Sequence, residues 1–195
     1  MSKNQNIEIE FKNMLTKEEY ELLLTHFQVS EEDLFEQENH YFDTSNFALK
    51  ANHSALRIRK KEAEYELTLK QPHPDGLLET NKILSKTESD DIFSTGRISD
   101  EQISSLLRNM NIDPTSIIYF GSLRTIRAEK KIGNGLLVLD HSFYLKKEDY
   151  ELEYEVSNRE EGKIYFQELL ATLKIPVRKT KNKVRRFYEE KYNQK

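Results

Sequence analysis

At 195 residues the chain has room for one ordinary domain with a full core and little more. Its 34 acidic and 30 basic residues give a net charge of -4, which lacks the basic excess of a nonspecific nucleic-acid binder, and the absence of cysteine excludes disulfides and thiolate metal sites. The polar start and the lack of any long apolar run predict a cytoplasmic chain with no membrane partner.

Taken in chain order, residues 7 to 12 form the first predicted strand. Ile7, Ile9 and Phe11 share one face, and Glu8, Glu10 and Lys12 share the other. A capping box at Thr16 and Glu19 opens a helix running to about Phe27. Residues 38 to 44 predict a strand. Leu56 to Lys60 and Tyr65 to Lys70 predict a hairpin around Lys61 to Glu64, although that turn has neither Gly nor Asn. Pro72, Pro74, Asp75 and Gly76 break the chain before a strand near Leu77 to Leu84. Ser99 with Gln102 opens a second helix, whose buried stripe is Ile103, Leu106, Leu107 and Met110. Gly133-Asn134-Gly135 is the strongest turn signal and joins strands at Leu123 to Ile132 and Leu136 to Leu145. An acidic strand at Tyr150 to Val156 follows. Asn158 with Glu161 then caps a third helix, with Phe166, Leu169, Leu170 and Leu173 inside, and Pro176 stops it. As a helix, the segment from Asn182 would put Lys183 and Arg186 one turn apart, with Val184, Phe187 and Tyr188 available for docking. The total is about eight strands, mostly antiparallel neighbours, and three or four helices.

Side-chain parity turns these strands into surfaces. Arg57 and Arg59 oppose Leu56 and Ile58. Glu64, Glu66, Thr68 and Lys70 oppose Tyr65, Leu67 and Leu69. Arg127, Glu129 and Lys131 align, Asp140 aligns with Tyr144, and Glu151, Glu153 and Glu155 align. Close-set carboxylates repel unless water or a cation stands between them, and a hard divalent metal answers that need. Alternating charge is also the ordinary wet face of an antiparallel sheet. Parity leaves two architectures open: an open sheet with a charged solvent face, and a closed barrel with a charged, wet interior. The five histidines have no zinc spacing. His26 and His141 are packing or surface residues on this reading, and Tyr41, Phe42 and Tyr65 are core aromatics.

Glu8-x-Glu10-x-Lys12 resembles the signature of the CYTH family, the triphosphate tunnel metalloenzymes that include thiamine triphosphatases, inorganic triphosphatases and class IV adenylate cyclases. Further segments match in order: Leu56 to Arg59, Leu67 to Lys70, Thr125 to Arg127, Leu139 to His141, Glu153 to Glu155 and Asn182 to Arg186. The resemblance spans about residues 7 to 188.

The resemblance implies an α+β chain forming a single domain over residues 1–195. Its core would be a closed eight-stranded antiparallel β-barrel, a tunnel with a charged interior and flanking helices. It further implies that Glu8, Glu10, Asp140, Glu153 and Glu155 hold Mg2+ or Mn2+, and that Lys12, Arg57, Arg59, Lys70, Arg127, Lys183 and Arg186 hold phosphates. Glu8, Glu10 and Lys12 form its expected catalytic group. Glu151 shares the parity of Glu153 but lies outside the matched segments. Glu79 is the one acidic residue kept in a stretch, Leu78 to Asn81, where family members often carry more. The expected reaction is attack by water on a terminal phosphoryl group of a small-molecule triphosphate: inorganic tripolyphosphate, thiamine triphosphate or a nucleoside triphosphate. Cyclase chemistry of the class IV type and a non-catalytic module that binds polyphosphate or nucleotide are the alternatives. The working unit is expected to be a monomer or homodimer.

Overall fold

The structure, a computed structural model, describes residues 4–193. Its strands are β1 (Gln5–Leu15), β2 (Leu34–Thr44), β3 (Ala55–Lys61), β4 (Glu64–His73), β5 (Gly76–Leu84), β6 (Ile117–Ile132), β7 (Gly135–Tyr144) and β8 (Lys147–Val156). Its helices are α1 (Lys17–His26), α2 (Ala48–Ala51), α3 (Lys86–Thr95), α4 (Glu101–Asn109), α5 (Arg159–Thr172) and α6 (Lys183–Asn193). The eight strands close into a barrel in the order β1-β5-β4-β3-β2-β6-β7-β8, which selects the closed alternative over the open sheet. None of the described helices is long and apolar enough to cross a membrane.

Two compact units make up the chain. One comprises the chain up to Ile7 with Glu38–Ser122. Within it β3, β4 and β5 form an antiparallel meander in which Leu56 faces Leu69 and Ile58 faces Leu67. These four side chains pack with Ile92 of α3 and with Ile103 and Leu107 of α4 in a single buried cluster. Each fully buried aliphatic side chain of this kind stabilises the fold by about 1.5–3 kcal/mol. Gly96 closes α3 in the left-handed conformation (φ 69°). A Cβ there would lie 1.8 Å from the Ile117 carbonyl oxygen, so only glycine fits. Phe42 belongs to this apolar cluster and Tyr65 packs against it, as expected. Tyr41 is buried too, but it stands opposite Arg57 in the β2–β3 ladder, on the charged face.

The second unit comprises Glu8–Gln37 and the chain from Leu123 onward. Here β6, β7 and β8 form the meander, and β8 also pairs with β1. Leu137, Leu139, Leu152 and Tyr154 pack with Leu23 of α1 and with Phe166 and Leu170 of α5. The capping box at the start of α1 is reciprocal: the Glu19 amide donates to the Thr16 hydroxyl, and the Thr16 amide donates to the Glu19 carboxylate. His141 lies on the outward side, stacked on Tyr150, and His26 is exposed against the edge of Phe27. In both units the strands turn their aliphatic residues to the helices and their ionic residues to the barrel interior.

Among the described residues, six α-helices exceed the three or four expected. The added ones are α2, a single turn, and α3, whose only buried side chains are Ser89 and Ile92, too few for an apolar period. The cap of α4 is Asp100, which accepts from the Ile103 amide, and not Ser99. Two hairpins turn without glycine: Glu62 (φ 53°) between β3 and β4, and Leu145 (φ 54°) between β7 and β8, both take left-handed backbone.

Candidate active site

The interior face of the second unit is built by strand alternation. On β8, Asp149, Glu151, Glu153 and Glu155 fall on one side, and the register sets Glu10 opposite Glu155, Lys12 opposite Glu153, and Asp140 opposite Glu151. Arg127 stands opposite Asp140 in the β6–β7 ladder. It grips both oxygens of Asp140, Nε to Oδ1 and Nη2 to Oδ2 at 2.7 Å each, and reaches Glu153 at 3.2 Å. From α6, the Lys183 ammonium lies 2.8 Å from Asp140 and 2.7 Å from both Glu151 and Glu153. One turn later Arg186 donates to Glu151 at 2.8 Å and, through Nε, to Asp149 at 2.9 Å, while the Tyr144 hydroxyl donates to the same Asp149 oxygen. Lys12 pairs with Glu10. Phe187, fully buried beside Tyr144, anchors the helix that carries these cations.

Charge governs the protonation of this face. Burial would raise Glu153, but Lys183, Arg127 and Lys12 outweigh it and hold the carboxyl well below its ordinary range. Asp140 is likewise lowered, burial being overcome by Arg127 and then Lys183. Burial opposes the charge of Lys183 as well, yet Asp140, Glu151 and Glu153 keep its ammonium well above the usual value. Glu155 behaves in the opposite way. Burial, then the neighbouring Glu8 and Glu153 carboxylates, push it up to about 7.

The first unit carries its own ionic face. Arg57, Thr68 and Asn81 form one cross-strand row on β3, β4 and β5, and Lys70 stands opposite Glu79. Lys70 pairs with Glu79, and Asn6 donates to the same carboxylate. Against the effect of burial, Lys70 and Arg57 hold Glu79 down to about 2. Arg59 donates to Asn39 at 3.2 Å. The buried Arg57 Nε and Thr68 Oγ1 make no hydrogen bond among the described residues.

The model of the CYTH domain matches residues 6–188. The chain belongs to the CYTH family. It is 52% identical over 188 residues to the Bacillus subtilis (strain 168) protein named "Putative triphosphatase YjbK", with 96% of this chain and 97% of that one covered. A solved Bacillus halodurans protein, described as a putative adenylate cyclase, superposes with a TM-score of 0.92 at 43% identity, covering 95% of this chain and 99% of that one. The Hippeastrum protein HpAC1, described as having a dominant triphosphatase activity, shares the fold with a TM-score of 0.73 at 23% identity, covering 94% and 96%.

Of the residues the CYTH resemblance singled out, Lys12, Arg127, Asp140, Glu153, Lys183 and Arg186 are gathered in the second unit's network, and Glu8, Glu10 and Glu155 form an acidic group on β1 and β8. Arg57, Arg59 and Lys70 lie on the first unit. Three carboxylates come within 4.8 Å of one another, and they are Asp140, Glu151 and Glu153. Glu151 is fully buried and central, a position the CYTH motifs do not mark. Its signal in the sequence was parity alone, two residues before Glu153. The donor set fits a hard divalent cation, because it is all oxygen and its carboxylates are close-set.

The upward push on Glu155 by burial and by Glu8 and Glu153 sets a pH dependence. A carboxyl whose folded pKa lies above its unfolded value contributes stability below the unfolded pKa, and loses it as pH rises through the folded one. For Glu155 the window runs from its ordinary value of 4.5 to about 7. His40, lowered from 6.5 by burial, acts in the opposite sense in an overlapping window, so the comparison must be with a variant. In urea titrations of metal-free protein, wild type is expected to lose stability relative to Glu155→Gln across this interval. Parallel pH profiles would contradict the assignment.

Proposed function

We propose that this protein is a divalent-metal-dependent triphosphatase, in which water attacks a terminal phosphoryl group of a small-molecule triphosphate. The observation that carries the reading is the interleaving of fixed cations with clustered carboxylates on the second unit's interior face, in a chain 52% identical to a protein named a triphosphatase. A triphosphate brings four or five negative charges on a short chain, which demands several cations. Lys12, Arg127, Lys183 and Arg186, together with Arg57, Arg59 and Lys70, are assigned to the phosphates. Arginine offers a planar fork for two oxygens, and lysine a compact charge. The free Arg57 Nε and Thr68 Oγ1 are donors available to such a ligand. Arg127 is already committed to Asp140, so in this arrangement it orients that carboxylate as well as lending charge.

Glu8, Glu10, Asp140, Glu153 and Glu155 are assigned to Mg2+ or Mn2+, with Glu8, Glu10 and Lys12 as the catalytic group. A bound divalent cation supplies charge neutralisation and a more acidic water. The side chains fix the phosphate chain in line and exclude competing geometry, which is most of what phosphoryl transfer asks of a protein.

The test is phosphate release from tripolyphosphate, thiamine triphosphate and nucleoside triphosphates, each with magnesium and with manganese. Turnover of none of them would overturn the reading. Arg59→Ala is expected to raise KM roughly tenfold, the worth of about one charge-assisted hydrogen bond, with kcat little changed. A loss confined to kcat would remove Arg59 from ground-state phosphate binding. Cyclase chemistry is the second reading, favoured by the name of the Bacillus halodurans relative. Cyclic AMP formed from ATP would establish it. Tight metal-dependent binding in calorimetry without any product would instead mark a binding module.

A further inference from the structure

The three carboxylates that come closest together already enclose a cation, and that cation belongs to the protein. The Lys183 ammonium lies within 2.7–2.8 Å of one oxygen from each of Asp140, Glu151 and Glu153. The ammonium donates a hydrogen bond to Glu153, and Asp140 and Glu151 stand at ion-pair distance. The seat is built: Glu151 and Asp140 are fully buried, and Arg127 and Arg186 hold the carboxylates from the side. It also has capacity in reserve, because the second oxygen of Glu151, Oε1, is buried and accepts no hydrogen bond among the described residues. That acceptor is available to a further ligand.

We propose that Asp140, Glu151 and Glu153 form an exchangeable cation seat, in which the Lys183 ammonium is a placeholder that a divalent metal displaces. Glu151 is thereby a metal-seat residue, and Lys183 has two stations: in the seat, and released toward phosphate. The charge count favours this exchange. Arg127, Lys183 and Arg186 each pair with a seat carboxylate, Arg186 being shared with Asp149, so the three carboxylates already hold counter-charge. A divalent ion entering without displacing Lys183 would place like charges together, which is strongly unfavourable. Once Lys183 leaves, the seat has lost a counter-charge and keeps an oxygen set suited to a hard cation. A triphosphate assists by offering the released ammonium a new partner, so metal and substrate load cooperatively.

The inference rests on the proposed metal-dependent reading only for the identity of the occupant, and its test needs no turnover. Mn2+ binding to the full chain is measured by electron paramagnetic resonance without any phosphate compound. Lys183→Gln is expected to bind Mn2+ at least about tenfold more tightly than wild type, since it keeps the carboxylates and removes the resident charge. Lys183→Arg keeps the charge and should bind like wild type. Adding Glu151→Gln to Lys183→Gln should abolish the gain. Equal or weaker binding by Lys183→Gln would overturn the proposal, and a gain that survives Glu151→Gln would remove Glu151 from the seat. Should Lys183→Gln not fold, wild type still decides the question through amine acetylation followed by mass spectrometry. Mn2+ is expected to raise labelling of Lys183 severalfold while leaving the exposed Lys174 unchanged, and unchanged labelling of Lys183 would overturn the exchange. Mn2+ behaviour as expected, with no triphosphate hydrolysed, would overturn the proposed function and leave this seat standing.

Discussion

Replacing Glu10 with Gln is expected to abolish metal-dependent phosphate release while leaving the fold intact. Glu10 stands opposite Glu155 in the β1–β8 ladder, in an acidic group with Glu8. The amide has nearly the same shape but loses the charge a hard cation requires. Folding should tolerate the change, because one source of like-charge repulsion disappears and Lys12 keeps the attraction of Glu153 and Glu151. Partners that merely orient a metal ligand are worth about 10–100-fold in affinity or activity, so loss of a ligand should exceed about 100-fold. Phosphate release measured against magnesium and manganese concentration, with circular dichroism as the control for folding, checks this. A fully active Glu10→Gln protein would remove Glu10 from the metal assignment.

Asp140→Ala should produce the opposite phenotype, a loss of stability. Asp140 is fully buried and is held by both arms of Arg127 and by Lys183. Removing one partner of a buried ion pair costs about 3–5 kcal/mol, because the remaining charge cannot return to water. For a chain of this length each kcal/mol moves the melting temperature by roughly 2–4 °C, so a fall of about 10 °C is expected in calorimetry. The paired replacement of Arg127 by Met and Asp140 by Leu should recover most of it, since the partners left behind, Lys183 and Glu153, still pair with each other. A shift below about 2 °C for Asp140→Ala would show that solvent reaches this pair.

Strand alternation made the barrel's two faces legible in the sequence, because a period of two leaves little freedom once one face is apolar. That is why Leu56, Ile58, Leu67 and Leu69 emerged as core and Arg57, Arg59 and Lys70 as their opposite. Barrel closure was not legible from parity, since an open sheet presents the same alternation, and it entered through resemblance. The helix α3 carries only the adjacent Ile92 and Phe93 as apolar packing residues, too few to show a helical period, although Ser85 and Glu88 form a capping box that could have revealed it. The turns at Glu62 and Leu145 carried no glycine to announce them. Glu151 was visible as an interior carboxylate, but its importance depends on α6 bringing Lys183 and Arg186 across 32 and 35 residues of chain, a contact no local pattern encodes.

The order in which the charges meet has a consequence for biosynthesis. Arg127 and Asp140 belong to one hairpin, 13 residues apart, and can neutralise each other as soon as β7 leaves the ribosome. Glu153 and Lys183 are separated by 30 residues, with the whole of α5 between them. Until α6 has been made, the β8 carboxylates Glu151 and Glu153 are therefore without the Lys183 and Arg186 charges that neutralise them in the finished fold.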